Sequence, residues 1–157
     1  MTEWLSTLEA SGFATWLRES NTIWAYPLVL TLHTVGLGLL VGANWLLDLR
    51  VLGVWPRIPL VELVGSFRVM WIGFWINAVS GAMLFTADAT TKGSTRLFFA
   101  KLVLVAIGIA SIIWLKRAVY GRGLSMPASS GVAKGLAYVS IVAWVAAIVA
   151  GRFMAYL

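Results

Sequence analysis

One histidine stands in a chain without cysteine, and the position of that residue, His33, gives it weight. It lies about 11 residues into a charge-free run beginning at Ile23, roughly 16 Å deep at about 1.5 Å per residue. An ionisable side chain at that depth in hydrocarbon is costly and must turn towards a protein interior. Three roles suit an imidazole there. It can ligate a metal or a haem iron through a neutral ring nitrogen, relay a proton, or hydrogen-bond to a neighbouring helix. At about 100° per residue, Thr22, Tyr26, His33 and Asn44 project onto one narrow face, with Asp48 near its edge. Tyr26 and Asn44 would then line whatever pocket His33 serves. Gly38 and Gly42 form a small pair on the opposite side, suited to close helix packing, and Pro27 is expected to kink the helix above the histidine.

Lys101 is the second unusual residue, one turn from Arg96 at the start of a later apolar run. It either snorkels outward along its aliphatic stem or sets a cation at the end of an internal cavity. Arg152 closes the last apolar run on the same expected side. Together the two cations suit haem propionates, a quinone headgroup or lipid phosphate. In the second run, Gly73, Asn77, Ser80, Gly81 and Asp88 fall along one face at helical spacing, which reads mostly as packing, with Asn77 satisfied across an interface. Asp88 is expected to pair with Lys92, Lys101 or Arg152, and Asp48 with Arg50.

Several chemistries are excluded. Without cysteine there is no structural disulfide, Cys-ligated zinc, iron–sulfur cluster or c-type haem attachment. Gly36, Gly38 and Gly42 lack the spacing and the strand-to-helix setting of a dinucleotide fingerprint. No Ser/His/Asp set is available, because the one histidine sits in an apolar run. Copper conduction needs soft ligands, and Met70, Met83, Met126 and Met154 are dispersed.

The elements that must position these residues follow from composition. Of 157 residues, 61% are hydrophobic and 11% charged, with a mean hydropathy of +0.90. A soluble domain carries roughly 25% charged residues, so the solvent for most of this chain is lipid. Four runs are long enough to cross about 30 Å of hydrocarbon as helices: 23–47, 69–87, 97–115 and 135–151. They are continuous rather than alternating, which excludes a closed barrel. The expected fold is therefore all-α, an integral membrane four-helix bundle forming a single membrane domain over 1–157.

Residues 2–19 read as one or two short interfacial helices interrupted at Ser11–Gly12, with Trp4, Leu5, Leu8, Phe13, Trp16 and Leu17 towards the headgroups. No basic segment precedes an apolar run there, so a cleaved signal peptide is not expected. Pro56 and Pro59 break the chain after the first span, and 58–69 reads as another interfacial segment. Trp24, Trp45, Trp71 and Trp114 sit at span ends, where indole rings settle at the headgroups. Trp75 and Trp144 lie deeper and are expected between helices. The segment 121–131, rich in Gly, Ser and Pro, reads as an ordinary connection.

The net charge of +6 does not signal nucleic acid, since the cations are scattered between apolar runs rather than gathered with stacking aromatics. They bias topology instead. Arg50, Arg57, Arg68, Lys116, Arg117, Arg122 and Lys134 fall on one expected side, against Arg18, Lys92, Arg96, Lys101 and Arg152 on the other. The positive-inside rule then places both termini outside, in the periplasm of a bacterial inner membrane.

Two segments carry a resemblance. Leu32-His33-Thr34-Val35-Gly36-Leu37-Gly38-Leu39-Leu40-Val41-Gly42 resembles the first helix of small membrane proteins related to copper-resistance protein CopD and HemJ-type protoporphyrinogen oxidase. Phe98-Phe99-Ala100-Lys101-Leu102-Val103-Leu104-Val105 resembles the lysine-bearing start of a later helix in the same group. Asp48-Leu49-Arg50 and Gly151-Arg152 are further points of likeness to a related family of uncharacterised bacterial membrane proteins. The resemblance implies a b-type haem, with His33 as the ligand histidine and Lys101 as the functional lysine. One histidine excludes bis-histidine ligation within a single chain. The iron would be five-coordinate, take a sulfur such as Met83 or Met70, or share His33 across a dimer.

The leading expectation is thus a haem-bearing electron-transfer module, not an enzyme by itself, working with quinone or a periplasmic redox protein. Two other classes stay open: an anchoring or scaffold subunit of a larger membrane complex, and a transporter of a metal or small solute lined by Tyr26, His33, Asn44 and Asn77.

Overall fold

The computed structural model describes residues 2–121, 130–154 and 156. Most of the connection expected at 121–131, with Arg122 and Met126, lies outside the described residues. The chain folds as α1 (Thr2–Glu9), α2 (Gly12–Glu19), α3 (Tyr26–Leu52), a 3-10 helix (Leu60–Gly65), α4 (Ser66–Thr86), α5 (Ala89–Ser94), α6 (Arg96–Tyr120) and α7 (Gly131–Phe153). No strand occurs among the described residues. The fold is all-α. Four stretches, Tyr26–Leu52, Leu60–Thr86, Arg96–Tyr120 and Gly131–Phe153, are long and apolar enough to cross a membrane. Between 17% and 33% of each apolar window is buried within the chain, so the outward apolar faces require a lipid solvent. This is a small multi-pass membrane protein.

The helices outrun their expected bounds for local reasons. α3 continues past Asp48 and Arg50 because charge does not terminate a helix, whereas a left-handed glycine does. Gly53 has φ +92, its N–H donates to the Arg50 carbonyl, and the Val54 N–H donates to the Leu49 carbonyl. That pair of bonds is a Schellman cap. Pro27 is the second residue of α3, where its missing N–H costs nothing. It starts the helix; the expected kink above His33 is not its role. At α7 the Ser130 hydroxyl accepts from the Ala133 N–H at 3.2 Å, an N-cap that begins the helix four residues earlier than expected. The expected interfacial segment at 58–69 is instead a 3-10 turn running directly into α4.

The described chain divides into two compact units, Met1–Leu40 with Val69–Arg96, and Val41–Arg68 with Leu97–Leu157. In the first, α1 and α2 meet at Ser11–Gly12, where the Ser11 hydroxyl caps α2 by accepting from the Ala14 N–H. α2 contributes Leu17 to a small core with Ala25, Val29, Leu84 and Ala87, against which Met83 packs. α1 lies on α5 so closely that a Cβ built on Gly93 would sit 2.8 Å from Leu5 Cδ1.

The crossing of α3 and α4 is made by backbone. A Cβ on Gly36 would lie 2.7 Å from the Asn77 nitrogen, and one on Gly73 would lie 2.6 Å from the Leu40 nitrogen. Gly38 and Gly42, the pair expected to pack, meet nothing within 4 Å. Close approach needs one glycine on each of two facing helices, and a motif within one helix does not say which face meets a partner.

In the second unit, α7 buries Ala133, Ala137, Ser140, Ala143, Trp144, Ala147 and Ala150. Steps of three and four make one continuous helical stripe. Trp144 is fully buried, as expected, with its indole against Gly108 of α6. Trp75 is 63% exposed, which corrects its expected place between helices. The Tyr120 hydroxyl donates to the Leu60 carbonyl at 2.7 Å, and its ring meets Phe67 edge-on at 5.5 Å.

Candidate functional site

Two polar clusters lie within the apolar helices, one in each unit. The first is built around His33. Its Nδ1 lies 3.0 Å from the Asn77 carbonyl oxygen and 3.2 Å from Ser80 Oγ. A carbonyl only accepts, so Nδ1 carries the hydrogen and donates, and in the neutral ring the lone pair sits on Nε2. Ser80 Oγ donates to the Ile76 carbonyl at 2.6 Å, which leaves its oxygen as a further acceptor for Nδ1–H.

Asn77 holds the other side of the arrangement. Its Nδ2 donates to the His33 carbonyl at 2.8 Å. The same nitrogen is 3.3 Å from His33 Nδ1 and 3.5 Å from Nε2. An atom nearly equidistant from both ring nitrogens lies over the ring rather than along either in-plane lone pair, so those contacts are not strong hydrogen bonds. Gly81 makes room for the imidazole, since a Cβ there would lie 2.9 Å from Cε1. The ring is half-buried.

The second cluster joins α3 to α7. Asn44 Nδ2 donates to Asp48 Oδ2 and to Ser140 Oγ, each at 2.7 Å. All three residues are 0% exposed. Asn44 Oδ1 and Asp48 Oδ1 are buried and have no hydrogen-bond partner. The expected Asp48–Arg50 pair does not form: residues two apart on a helix point away from each other, and Arg50 Nε donates instead to the Ile58 carbonyl. Sequence reasoning missed Ser140 altogether. A serine among alanines on an apolar helix resembles a small packing residue, and only its place on the buried stripe could have drawn notice.

In comparisons with protein-family models, curated proteins and solved structures, none matches this chain.

The other expected site residues are distributed as follows. Tyr26 opens α3 and is 40% exposed. Asn44 spends its amide on Asp48 and Ser140, while the His33 cluster is completed by Asn77, Ser80 and Gly81. Lys101 runs along Gly151, where a Cβ would lie 3.4 Å from its Nζ, beside the exposed Arg152. Met83 is packed on the Leu17 core, and Met70 is 2% exposed. Asp88 pairs with Lys92 at 3.7 Å, one turn along. No group of three His, Cys, Asp or Glu residues able to hold a metal occurs among the described residues.

Outside the spans, Ser6, Glu9, Ala10, Arg18 and Thr90 line a shallow open cleft. Glu9 accepts from both the hydroxyl and the N–H of Thr90, and Arg18 approaches it at 3.6 Å. The Thr90 hydroxyl, then its N–H, then the Arg18 charge hold the Glu9 carboxyl below its ordinary range. These groups satisfy one another and tie the N-terminal helices to α5.

Proposed function

We propose that the protein is a membrane-embedded redox module that binds a b-type haem through His33. The observation that supports this reading is the orientation of the ring: Nδ1–H is held by the Asn77 carbonyl oxygen at 3.0 Å, which puts the basic lone pair on Nε2. A metal-ligating imidazole is held in this way, its second nitrogen fixed by a carbonyl or carboxylate. The bound haem would supply one-electron transfer. The residues of the chain fix the tautomer and orient the ring against Gly81.

The donor set fits one axial nitrogen per chain, because His33 is the sole histidine. Met70 and Met83 are already engaged in core packing, which favours a five-coordinate iron or a position shared with a second copy. Lys101 and Arg152, in the other unit, are the cations proposed for an anionic group such as a quinone headgroup or lipid phosphate. The resemblance to CopD and HemJ-type proteins supports the haem reading. The cation bias supports termini on the outer side of the membrane; for a bacterial inner membrane that side is the periplasm, where quinone or a periplasmic redox protein is the proposed partner.

The test is the absorption spectrum of the purified protein, oxidised and dithionite-reduced, with haem quantified chemically. A Soret band with reduced α and β bands is expected at one haem per chain or per two chains, and it should be lost in a folded His33→Ala variant. Full haem content in that variant would overturn the assignment. A second reading is an anchoring subunit, favoured by the same cluster acting as a staple, since Asn77 Nδ2 and His33 Nδ1 both tie α3 to α4. A colourless, folded protein recovered within a larger membrane assembly would make that reading the stronger one.

A further inference from the structure

Beyond any haem, the Asn44–Asp48–Ser140 cluster is a buried carboxyl without a visible counter-charge. Asp48 is 0% exposed, and among the described residues no ion pair reaches it; the nearest cation in sequence, Arg50, is engaged by the Ile58 carbonyl. Burying a carboxylate unpaired is among the costliest arrangements available to a protein, and within a membrane helix it marks a functional site by default.

Around it stand the Asn44 amide, which donates to Asp48 Oδ2, and a set of oxygens. Asp48 Oδ1 and Asn44 Oδ1 are buried oxygens with no partner, and Ser140 Oγ lies 2.7 Å from the Asn44 amide. The Asn44 Nδ2 hydrogens, bonded to Asp48 Oδ2 and Ser140 Oγ, lock the three side chains into one rigid group. A set of carboxylate, carbonyl and hydroxyl oxygens selects hard cations over soft metals. One carboxylate, with no cluster of three ionisable ligands among the described residues, balances a single positive charge. We propose that Asp48, Asn44 and Ser140 form a membrane-buried site for a monovalent cation, with Na⁺ as its ligand and a proton as its competitor.

The site draws on α3 and α7 and on none of the atoms around His33, so its fate and that of the haem assignment are separable. The test uses the full-length protein in mild detergent at pH 8 and measures binding of ²²Na⁺ against choline at constant ionic strength. Saturable binding at one ion per chain is expected. Its apparent affinity should fall up to tenfold per pH unit once the competing proton occupies the carboxyl. Asp48→Asn should bind none while keeping its helicity. Ser140→Ala, which removes one ligand oxygen and no charge, should weaken binding at least tenfold, and it serves if Asp48→Asn does not fold. Absence of saturable ²²Na⁺ binding by the wild-type protein, or undiminished binding by Ser140→Ala, would overturn the site and leave a protonated carboxyl or a buried water in its place.

Discussion

The two polar clusters solve the same problem in different ways. Around His33, the polar groups turn to backbone carbonyls: across the helix crossing the Asn77 carbonyl serves Nδ1 and the His33 carbonyl serves Asn77 Nδ2, while Ser80 donates within α4 to the Ile76 carbonyl. Glycine makes the crossing possible, because only there can the α3 and α4 backbones come so near. Around Asp48, side chains bond to side chains and burial is complete, yet two oxygens remain without partners. A satisfied, half-buried cluster holds a geometry. A fully buried, incompletely satisfied one stores a demand for a ligand, since each unpaired buried polar group costs about 1–3 kcal/mol.

The contrast is broken most severely at the glycines. Gly73→Val should destabilise by about 3 kcal/mol, the upper end of ordinary overpacking, because the atoms a Cβ would meet at 2.6 and 2.7 Å are the Leu40 nitrogen and the Gly36 oxygen. Gly38→Ala should leave stability unchanged or slightly raised. Thermal unfolding in detergent compares the two, and equal losses would refute the backbone crossing. Gly108→Ala meets the Trp144 ring at 2.7 Å instead; a ring can tilt where backbone cannot, so its loss should fall between them.

Asn44→Ala comes next. It strips the donor from Asp48 Oδ2 and Ser140 Oγ together, and a loss of about 1–3 kcal/mol is expected. Removing Asp48 as well, in Asn44→Ala with Asp48→Ala, should recover part of it, because the stranded carboxyl is then gone. A double variant less stable than Asn44→Ala alone would show that the cluster makes no such demand. The His33–Asn77 pair should be worth less. Hydrogen bonds between membrane helices average about 0.6 kcal/mol in double-mutant cycles, and a cycle across His33→Ala and Asn77→Ala should return a coupling of that order.

The smallest effect lies outside the spans. Glu9 is held below its ordinary range by Thr90, so its contribution is present above the unfolded carboxyl range and is lost as pH falls through the lowered folded value. Wild-type protein should therefore show faster proteolysis near α1 on acidification than at neutral pH, and Thr90→Val should reduce that difference while leaving the spans protected. An unchanged pH response in Thr90→Val would remove the side-chain bond from the account.

Much of this architecture was legible in residues alone. Four apolar runs and the break at Ser11–Gly12 follow from composition and spacing, because hydrocarbon penalises every unpaired polar group and so leaves long apolar helices as the permitted form. Asn77 could be marked as a cross-helix hydrogen-bonding residue for the same reason, and Asp88 could be placed within reach of Lys92. The partners of the candidate site were less legible. Ser140 carries no signal in the sequence, the expected Asp48–Arg50 pair does not form, the Gly38 and Gly42 pair meets nothing within 4 Å, and Trp75 is exposed.

Each of these depends on which face of a nearly uniform apolar helix meets another. The sequence determined that α3 crosses a membrane and carries polar groups that must be satisfied. Only the tertiary structure decided that Gly36 meets Gly73 and that Asn44 reaches Ser140 on α7. In a helix that is apolar all round, hydropathy carries little information about orientation. There, close packing and hydrogen-bond geometry select the partners, and both act over a few ångströms between residues far apart in the chain.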